Sequence, residues 1–158
     1  MKLIAVAAVS ENGIIGRDGE LPWPSMPADK REYRSRIAHD PVILGRRTFL
    51  SMVDDLPGSV QIVMSRSART YEQTNARHAR TVNEAFEHLN DLGAERAYVI
   101  GGAEIYSLFM PYFDRLFISR VLGTYPGDKA FPDIDQDTWM INSRTPRAGY
   151  ILEEWIRR

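Results

Sequence analysis

The chain has no cysteine, which excludes disulfides and thiolate chemistry. It has only three histidines, His39, His78 and His88, with no pair at metal-ligand spacing, so no metal is assigned. Neither charge is in excess. The 20 Lys and Arg against 21 Asp and Glu leave a net −1, with no whole-chain pull toward nucleic acid or an anionic membrane. No apolar run approaches the roughly 20 residues that span a bilayer. The apolar start from Leu3 to Val9 follows one basic residue, as a signal peptide would, but leads into Glu11-Asn12-Gly13 and not a cleavage pattern. It is read as a buried strand, and a cytoplasmic location is expected. Repeats, low-complexity tracts and linkers are missing too. A length of 158 residues with 44% hydrophobic residues suits one domain spanning 1–158 with a real core, expected as a monomer.

What is present is an alternation of apolar runs and helical patterns. Ile4 to Val9 suits a strand buried on both faces. A helix is expected from Ala28 to Ala38, then a short strand at Val42-Ile43-Leu44. That strand runs through Gly45-Arg46 into a helix carrying Phe49 and Met52. Leu56-Pro57-Gly58 is a turn, and Val60 to Met64 is the next strand. A helix beginning at Asn83 carries Ala85, Phe86, Leu89 and Leu92 on one stripe and ends at Gly93. Ala97 to Ile100 is another buried strand; it enters Gly101-Gly102 and a helix through Ile105, Leu108 and Phe109. Leu116 to Val121 and Tyr150 to Ile156 are late strands with no helix between them. Gly127 to Phe131 reads as a surface turn with a hydrophobic anchor. Strand–helix alternation followed by strands alone implies an α/β fold with a mostly parallel sheet and an antiparallel edge. Ligands in such sheets bind at the carboxyl ends of the strands.

Three features carry chemistry. Asp29 follows Leu21-Pro22-Trp23-Pro24 and Pro27; proline suits a first helical turn, and a carboxylate just after it is favoured by the helix dipole. Asp29 is therefore either an ordinary helix-start acid or a functional one beneath a proline-braced aromatic loop. Two strand-to-helix junctions carry glycine, Gly45-Arg46-Arg47-Thr48 and Gly101-Gly102-Ala103-Glu104. Glycine admits close approach of backbone N–H groups to an anion, although it also serves tight turns. Neither junction is a GxGxxG fingerprint or a P-loop. Ser65-Arg66-Ser67 follows the third strand directly, either as a solvated turn or as a partner for an additional phosphate. Ser65 and Ser119 have no local base, so nucleophilic catalysis is unsupported.

In order along the chain, Ala8, Ile15-Gly16, Leu21-Pro22-Trp23, Pro27-Ala28-Asp29, Gly45-Arg46-Arg47-Thr48, Leu56-Pro57-Gly58, Ile100-Gly101-Gly102, Ile105-Tyr106, Gly127-Asp128 and Phe131-Pro132 resemble the dihydrofolate reductase family. The extra residue between Trp23 and Pro27 and the string Leu56-Pro57-Gly58-Ser59 are most similar to haloarchaeal members. The resemblance implies a central eight-stranded, mostly parallel sheet with an antiparallel C-terminal edge and four flanking helices. It implies NADPH as cofactor and dihydrofolate as substrate, with hydride passing from nicotinamide C4 to pterin C6. Asp29 matches the pocket carboxylate that binds the pterin, Ser119 the hydroxyl that supports it, and Leu21 and Trp23 the loop that admits the water protonating N5. Burial is expected to outweigh the helix start and raise the Asp29 pKa. Val6, Ala8, Tyr33 (for the usual phenylalanine), Met52, Leu56, Ile100 and Tyr106 match the apolar walls of the substrate site. On the cofactor side the matching residues are Ala8, Ile15, Gly16, Gly45, Arg46, Arg47, Thr48, Met64, Ser65, Arg66, Ile100, Gly101, Gly102, Ala103, Glu104, Ile105 and Tyr106. Arg46 and Arg66 are matched to the 2′-phosphate, and Gly101-Gly102 to a pair joined by a cis peptide.

The chain departs from the family at Ser59, where an arginine usually grips the α-carboxylate of the substrate. Lys30, Arg31 and Arg34 on the first helix are the candidates to replace it. Lys30 also stands where the pocket is usually apolar. Two rival readings are a pyrimidine reductase on the same fold, which would lack the pairing of Trp23 with Asp29, and a nucleotide- or pterin-binding module without turnover.

Overall fold

A computed structural model of the chain describes every residue except Ala68 and Thr74. Strand β1 (Lys2–Ser10) is central. Its alternate residues face two cores, Leu3, Ala5, Ala7 and Val9 on one side and Ile4 and Val6 on the other. This is why the run is apolar throughout and not alternating. Next come β2 (Ile14–Gly16), α1 (Pro27–Ile37), β3 (Val42–Gly45), α2 (Arg46–Ser51), β4 (Gln61–Met64), β5 (Ala76–Ala79) and α3 (Val82–Asp91). They are followed by β6 (Arg96–Val99), α4 (Ala103–Phe109), β7 (Arg115–Val121), β8 (Lys129–Ala130), β9 (Trp139–Pro146) and β10 (Tyr150–Arg157).

The main sheet has eight strands in the order β5-β4-β3-β6-β1-β7-β10-β9. The first six run parallel, and β10 lies antiparallel to both β7 and β9. Helices α3 and α4 cover the larger core through Ala85, Leu89 and Phe109. Helices α1 and α2 cover the other face through Ile37 and Phe49. The expected mostly parallel eight-stranded sheet with an antiparallel C-terminal edge and four helices is therefore found. Among the described residues no helix is long and apolar enough to cross a membrane.

Four local differences from the sequence reading have physical causes. Helix α3 begins at Val82, one residue before Asn83. Thr81 caps it by accepting from the Glu84 N–H at 3.1 Å, while the Glu84 carboxylate accepts from the Arg80 N–H at 2.6 Å, a capping-box-like arrangement whose return bond falls one residue before the cap. Strands β5 and β9 lie at the two edges of the sheet and lack the continuous apolar run that marks the inner strands. The segment read as a surface turn, Gly127 to Phe131, contains β8, which pairs with β2. A Cβ at Gly127 would overlap the Gly16 carbonyl and the Ile14 side chain, so only glycine permits that approach.

Candidate active site

Because β1, β3, β4, β6 and β7 are parallel, their carboxyl ends gather at one end of the sheet. From β1 leaves the segment that leads through Trp23 to α1. From β3 and β6 leave the two glycine junctions, and from β4 leaves Ser65-Arg66. The register pairs Ala8 of β1 with Ser119 of β7, which places Ser119 on the face covered by α1.

Helix α1 starts with Pro27 in its first turn and has no side-chain cap. Asp29 stands in that first turn yet is buried, at 8% exposure. The Ser119 hydroxyl donates to Asp29 Oδ1 at 2.5 Å; among the described residues no side chain donates to Oδ2. Burial pushes the Asp29 pKa above its ordinary 3.8, the Ser119 bond pulls it back, Glu32 raises it and Arg36 lowers it. Desolvation is the largest influence, as expected for a carboxyl against apolar walls. Val6 belongs to the buried cluster on this face, and Tyr33, Met52, Leu56 and Ile100 pack against it, so five residues matched to the substrate walls share one cluster, on the sheet face where Ser119 holds Asp29. Tyr106 lies in the opposite core and ties the two faces together, donating its hydroxyl to the Val6 carbonyl at 2.6 Å. Burial pushes its phenol strongly upward.

The two glycine junctions meet. The Gly45 N–H donates to the Gly101 carbonyl at 2.8 Å. A Cβ on Gly45 would stand 3.1 Å from Ile105 Cγ1, and one on Gly101 would stand 3.3 Å from the Tyr106 ring. Gly101 has φ +118° and the Gly101–Gly102 bond is cis. A Cβ on Gly102 would stand 3.8 Å from Thr48 Oγ1. Arg46 and Arg47 are exposed at this junction and form no ion pair among the described residues. Arg66 is paired with Glu104. The Ser65 carbonyl is hydrogen-bonded to His78 Nε2 at 2.9 Å. Met64 is buried, and Ala8, Ile15, Gly16 and Ala103 are half-buried around the same end. Cations without counterions, close-approach glycines and apolar residues together fit a dinucleotide with phosphates and a flat ring.

Other matched residues fall differently. Trp23 is buried at 6% and meets Tyr125 edge-on at 5.7 Å between centroids. Leu21 is 60% exposed, and Lys30 and Arg31 point to solvent. Of the three candidate cations Lys30, Arg31 and Arg34, Arg34 is anchored. Its Nη2 donates to the Asp55 carbonyl at 2.9 Å, and Nη1 is 3.8 Å from the Asp55 carboxylate. Its Nε is buried and has no hydrogen-bond partner among the described residues. Arg34 thereby sits against the Leu56-Pro57-Gly58-Ser59 turn. That turn is pinned by the bond from the Ser59 N–H to the Asp40 carbonyl at 2.9 Å and by Gln61 Nε2 donating to the Pro57 carbonyl at 2.7 Å.

Three residues of the site region escaped the sequence reading. Glu32 accepts from Tyr150 and Arg147, each at 3.0 Å; Tyr150 is pushed up to about 12, first by burial and then by that bond. Arg36 stacks on Phe117 at 4.2 Å and offsets part of the Asp29 desolvation. Arg80, at the end of β5, donates from Nε to the Arg66 carbonyl at 3.1 Å. Glu32 sits three residues after Asp29, a helical neighbour spacing that could have found it.

A sequence profile described as dihydrofolate reductase matches residues 2–150. The chain is similar to dihydrofolate reductase 1 of Haloarcula marismortui, at 37% identity covering 98% of this chain and 90% of that protein. It is similar to dihydrofolate reductase HdrB of Haloferax volcanii at 28% identity, covering 100% and 84% respectively. A third relative is dihydrofolate reductase type 3 of Salmonella typhimurium, at 35% identity over 84% of this chain and 80% of that protein.

Proposed function

This chain belongs to the dihydrofolate reductase family, and we propose that it reduces 7,8-dihydrofolate to tetrahydrofolate with NADPH, acting as a one-domain monomer. One observation carries the reading: the buried Asp29 carboxylate is held by Ser119 through Oδ1, on the sheet face that also carries the apolar cluster of Val6, Tyr33, Met52, Leu56 and Ile100. A planar amino-pyrimidine edge offers two parallel donors, and a carboxylate is the matching two-oxygen acceptor.

NADPH, when bound, supplies the hydride that goes from nicotinamide C4 to pterin C6. The chain supplies position and field. Gly45, Gly101, Gly102 and Thr48 shape the cradle, Arg46, Arg47 and Arg66 take the phosphates, and Ala8, Ile15, Gly16, Ile100 and Ile105 flank the ring. Ser65, Met64, Ala103, Glu104 and Tyr106 complete that side. Asp29 orients the pterin and, as an anion, favours the positive charge that N5 acquires. Water entering past the exposed Leu21 segment, with Trp23 closing the far wall, delivers the N5 proton. Arg34 replaces the arginine missing at Ser59, because it alone of the α1 cations is fixed against the Leu56 turn. Lys30 contributes at the pocket rim.

The test is loss of NADPH absorbance on adding dihydrofolate, for wild type and Asp29→Asn. Turnover by the wild type and a loss on the order of 10²–10⁴-fold in the variant at neutral pH are expected. Tight NADPH binding with no wild-type turnover would leave a binding module instead.

A further inference from the structure

Arg66 and Glu104 leave from different strands. Arg66 follows β4 and Glu104 lies in the first turn of α4, after β6. Strand β3 separates β4 from β6 in the sheet, so the contact between the two side chains bridges the end of β3, where Gly45 and Arg46 begin α2. Both side chains are open to solvent, at 89% and 75% exposure. Glu104 engages only Nη2 of Arg66, so an anion that reaches the guanidinium shares it with, or displaces, a carboxylate beside it. An exposed pair opens at little cost, so the cation stays usable, but the carboxylate remains beside whatever replaces it.

From this we infer that Glu104 is a specificity-determining residue that competes with the cofactor's 2′-phosphate for Arg66 and so weakens the preference for NADPH over NADH. The inference rests on the cofactor site proposed above. The chemistry separates the two cofactors at one position. NADPH brings a phosphate near two negative charges, which Arg66 attracts and Glu104 repels. NADH brings a hydroxyl there, from which a carboxylate accepts a hydrogen bond. One acid thus disfavours the first cofactor and favours the second. The backbone of the Arg66 turn is meanwhile pinned by Arg80 Nε on its carbonyl and by the Ser65 N–H on the Ala79 carbonyl at 3.1 Å. Only the Arg66 head has to move. Arg46 and Arg47 are cations without such a competitor, since neither forms an ion pair among the described residues. Removing Glu104 therefore changes the contest at Arg66 specifically.

The test is calorimetric binding to the ligand-free protein of adenosine 2′,5′-bisphosphate and of AMP, which differ only in the 2′-phosphate. It is run for wild type, Glu104→Gln, Arg66→Gln and the double variant. The ratio of catalytic efficiencies with NADPH and NADH is a second readout. Glu104→Gln is expected to raise the bisphosphate-to-AMP affinity ratio about three- to tenfold at low salt, with the gain shrinking as salt screens it. Arg66→Gln is expected to lower the ratio, and Glu104→Gln to raise it less in that background than in wild type. If Arg66→Gln lowers the ratio while Glu104→Gln leaves it unchanged or lowers it, the competitor role is overturned and the cofactor site stands. If Arg66→Gln leaves the ratio unchanged, the assignment of the 2′-phosphate to Arg66 falls, and the competitor role with it.

Discussion

Replacing Asp29 with Asn should make the ligand-free protein more stable and the enzyme much worse. Asp29 is buried, and desolvation outweighs the Ser119 bond in setting its pKa, which is raised above 3.8. A raised acid favours folding while it is protonated in both states, and that advantage is lost as pH rises through the folded-state value. At neutral pH the native state therefore carries the cost of a buried anion. Asparagine removes the charge and still presents an oxygen to the Ser119 hydroxyl. It gives up part of a charge-assisted bond, worth about 1.5–3 kcal/mol, for a neutral one worth about 1. It also removes the desolvation of the anion and the repulsion from Glu32. A net gain of about 1 kcal/mol is expected, or roughly 2–4 °C in Tm for a chain of this size. The assay is thermal unfolding of wild type and variant from pH 4 to pH 8, without ligands. The Tm difference should be small near the ordinary carboxylate value of 3.8 and open in favour of the variant as pH rises. A plain helix-start acid predicts the reverse, a loss of about 0.3–1 kcal/mol at neutral pH as the dipole partner disappears. A variant that melts lower than wild type at pH 7, with the gap closing on acidification, would refute the reasoning.

Arg34→Met should raise KM for dihydrofolate by the loss of a charge-assisted pair, about 1.5–3 kcal/mol, roughly ten- to a hundredfold. KM for a pterin without the glutamate should not change, and steady-state kinetics on both substrates checks this. Gly58 has φ +72°, and a Cβ there would stand 2.7 Å from both the Asp40 carbonyl oxygen and Val42 Cγ1. Gly58→Ala should therefore destabilise by more than the roughly 0.4–1 kcal/mol that the same change gains at an unstrained position, read as a lowered urea midpoint. Glu153 is 4% exposed. It accepts from Arg120 Nη2 and Trp155 Nε1, each at 3.1 Å, while Arg120 Nη1 holds the Ser10 carbonyl, also at 3.1 Å. Glu153→Leu alone should cost about 3–5 kcal/mol by leaving Arg120 unpaired, and Arg120→Leu/Glu153→Leu should recover part of it; denaturant unfolding of both decides.

The fold was legible wherever a strand is buried on both faces or a helix is bounded by a residue with special backbone freedom. Strands β1, β3, β4, β6 and β7 announce themselves as short apolar runs, and the Gly45 and Gly101-Gly102 junctions mark where strands hand over to helices. The same physics made Asp29 legible, since an acid after Pro27 and a tryptophan-bearing loop is a local pattern. Strands β5 and β9 were missed for the opposite reason. Ala-Arg-His-Ala and a strand whose side chains are mostly exposed carry no burial signature, because edge strands are held by backbone pairing that side chains do not advertise.

The contacts that decide the site belong to a further class. Ser119 reaches Asp29 across 90 positions of sequence, and Arg66 reaches Glu104 across 38. Neither side chain carries a local sign of its partner. What joins Ser119 to Asp29 is register: Ala8 pairs with Ser119, and a slip of one residue would turn Ser119 to the opposite face and bring Arg120 under α1. Arg120 in that position would neutralise Asp29 and lower its pKa, the reverse of what a pterin-binding anion in an apolar pocket requires. The β1–β7 register, which buries Ala5, Ala7, Leu116 and Ile118 together on the far face, is thus a condition for the chemistry as well as for the core. Resemblance to a family supplied the match of Ser119 to Asp29; composition and periodicity could not, because both are unchanged by the slip.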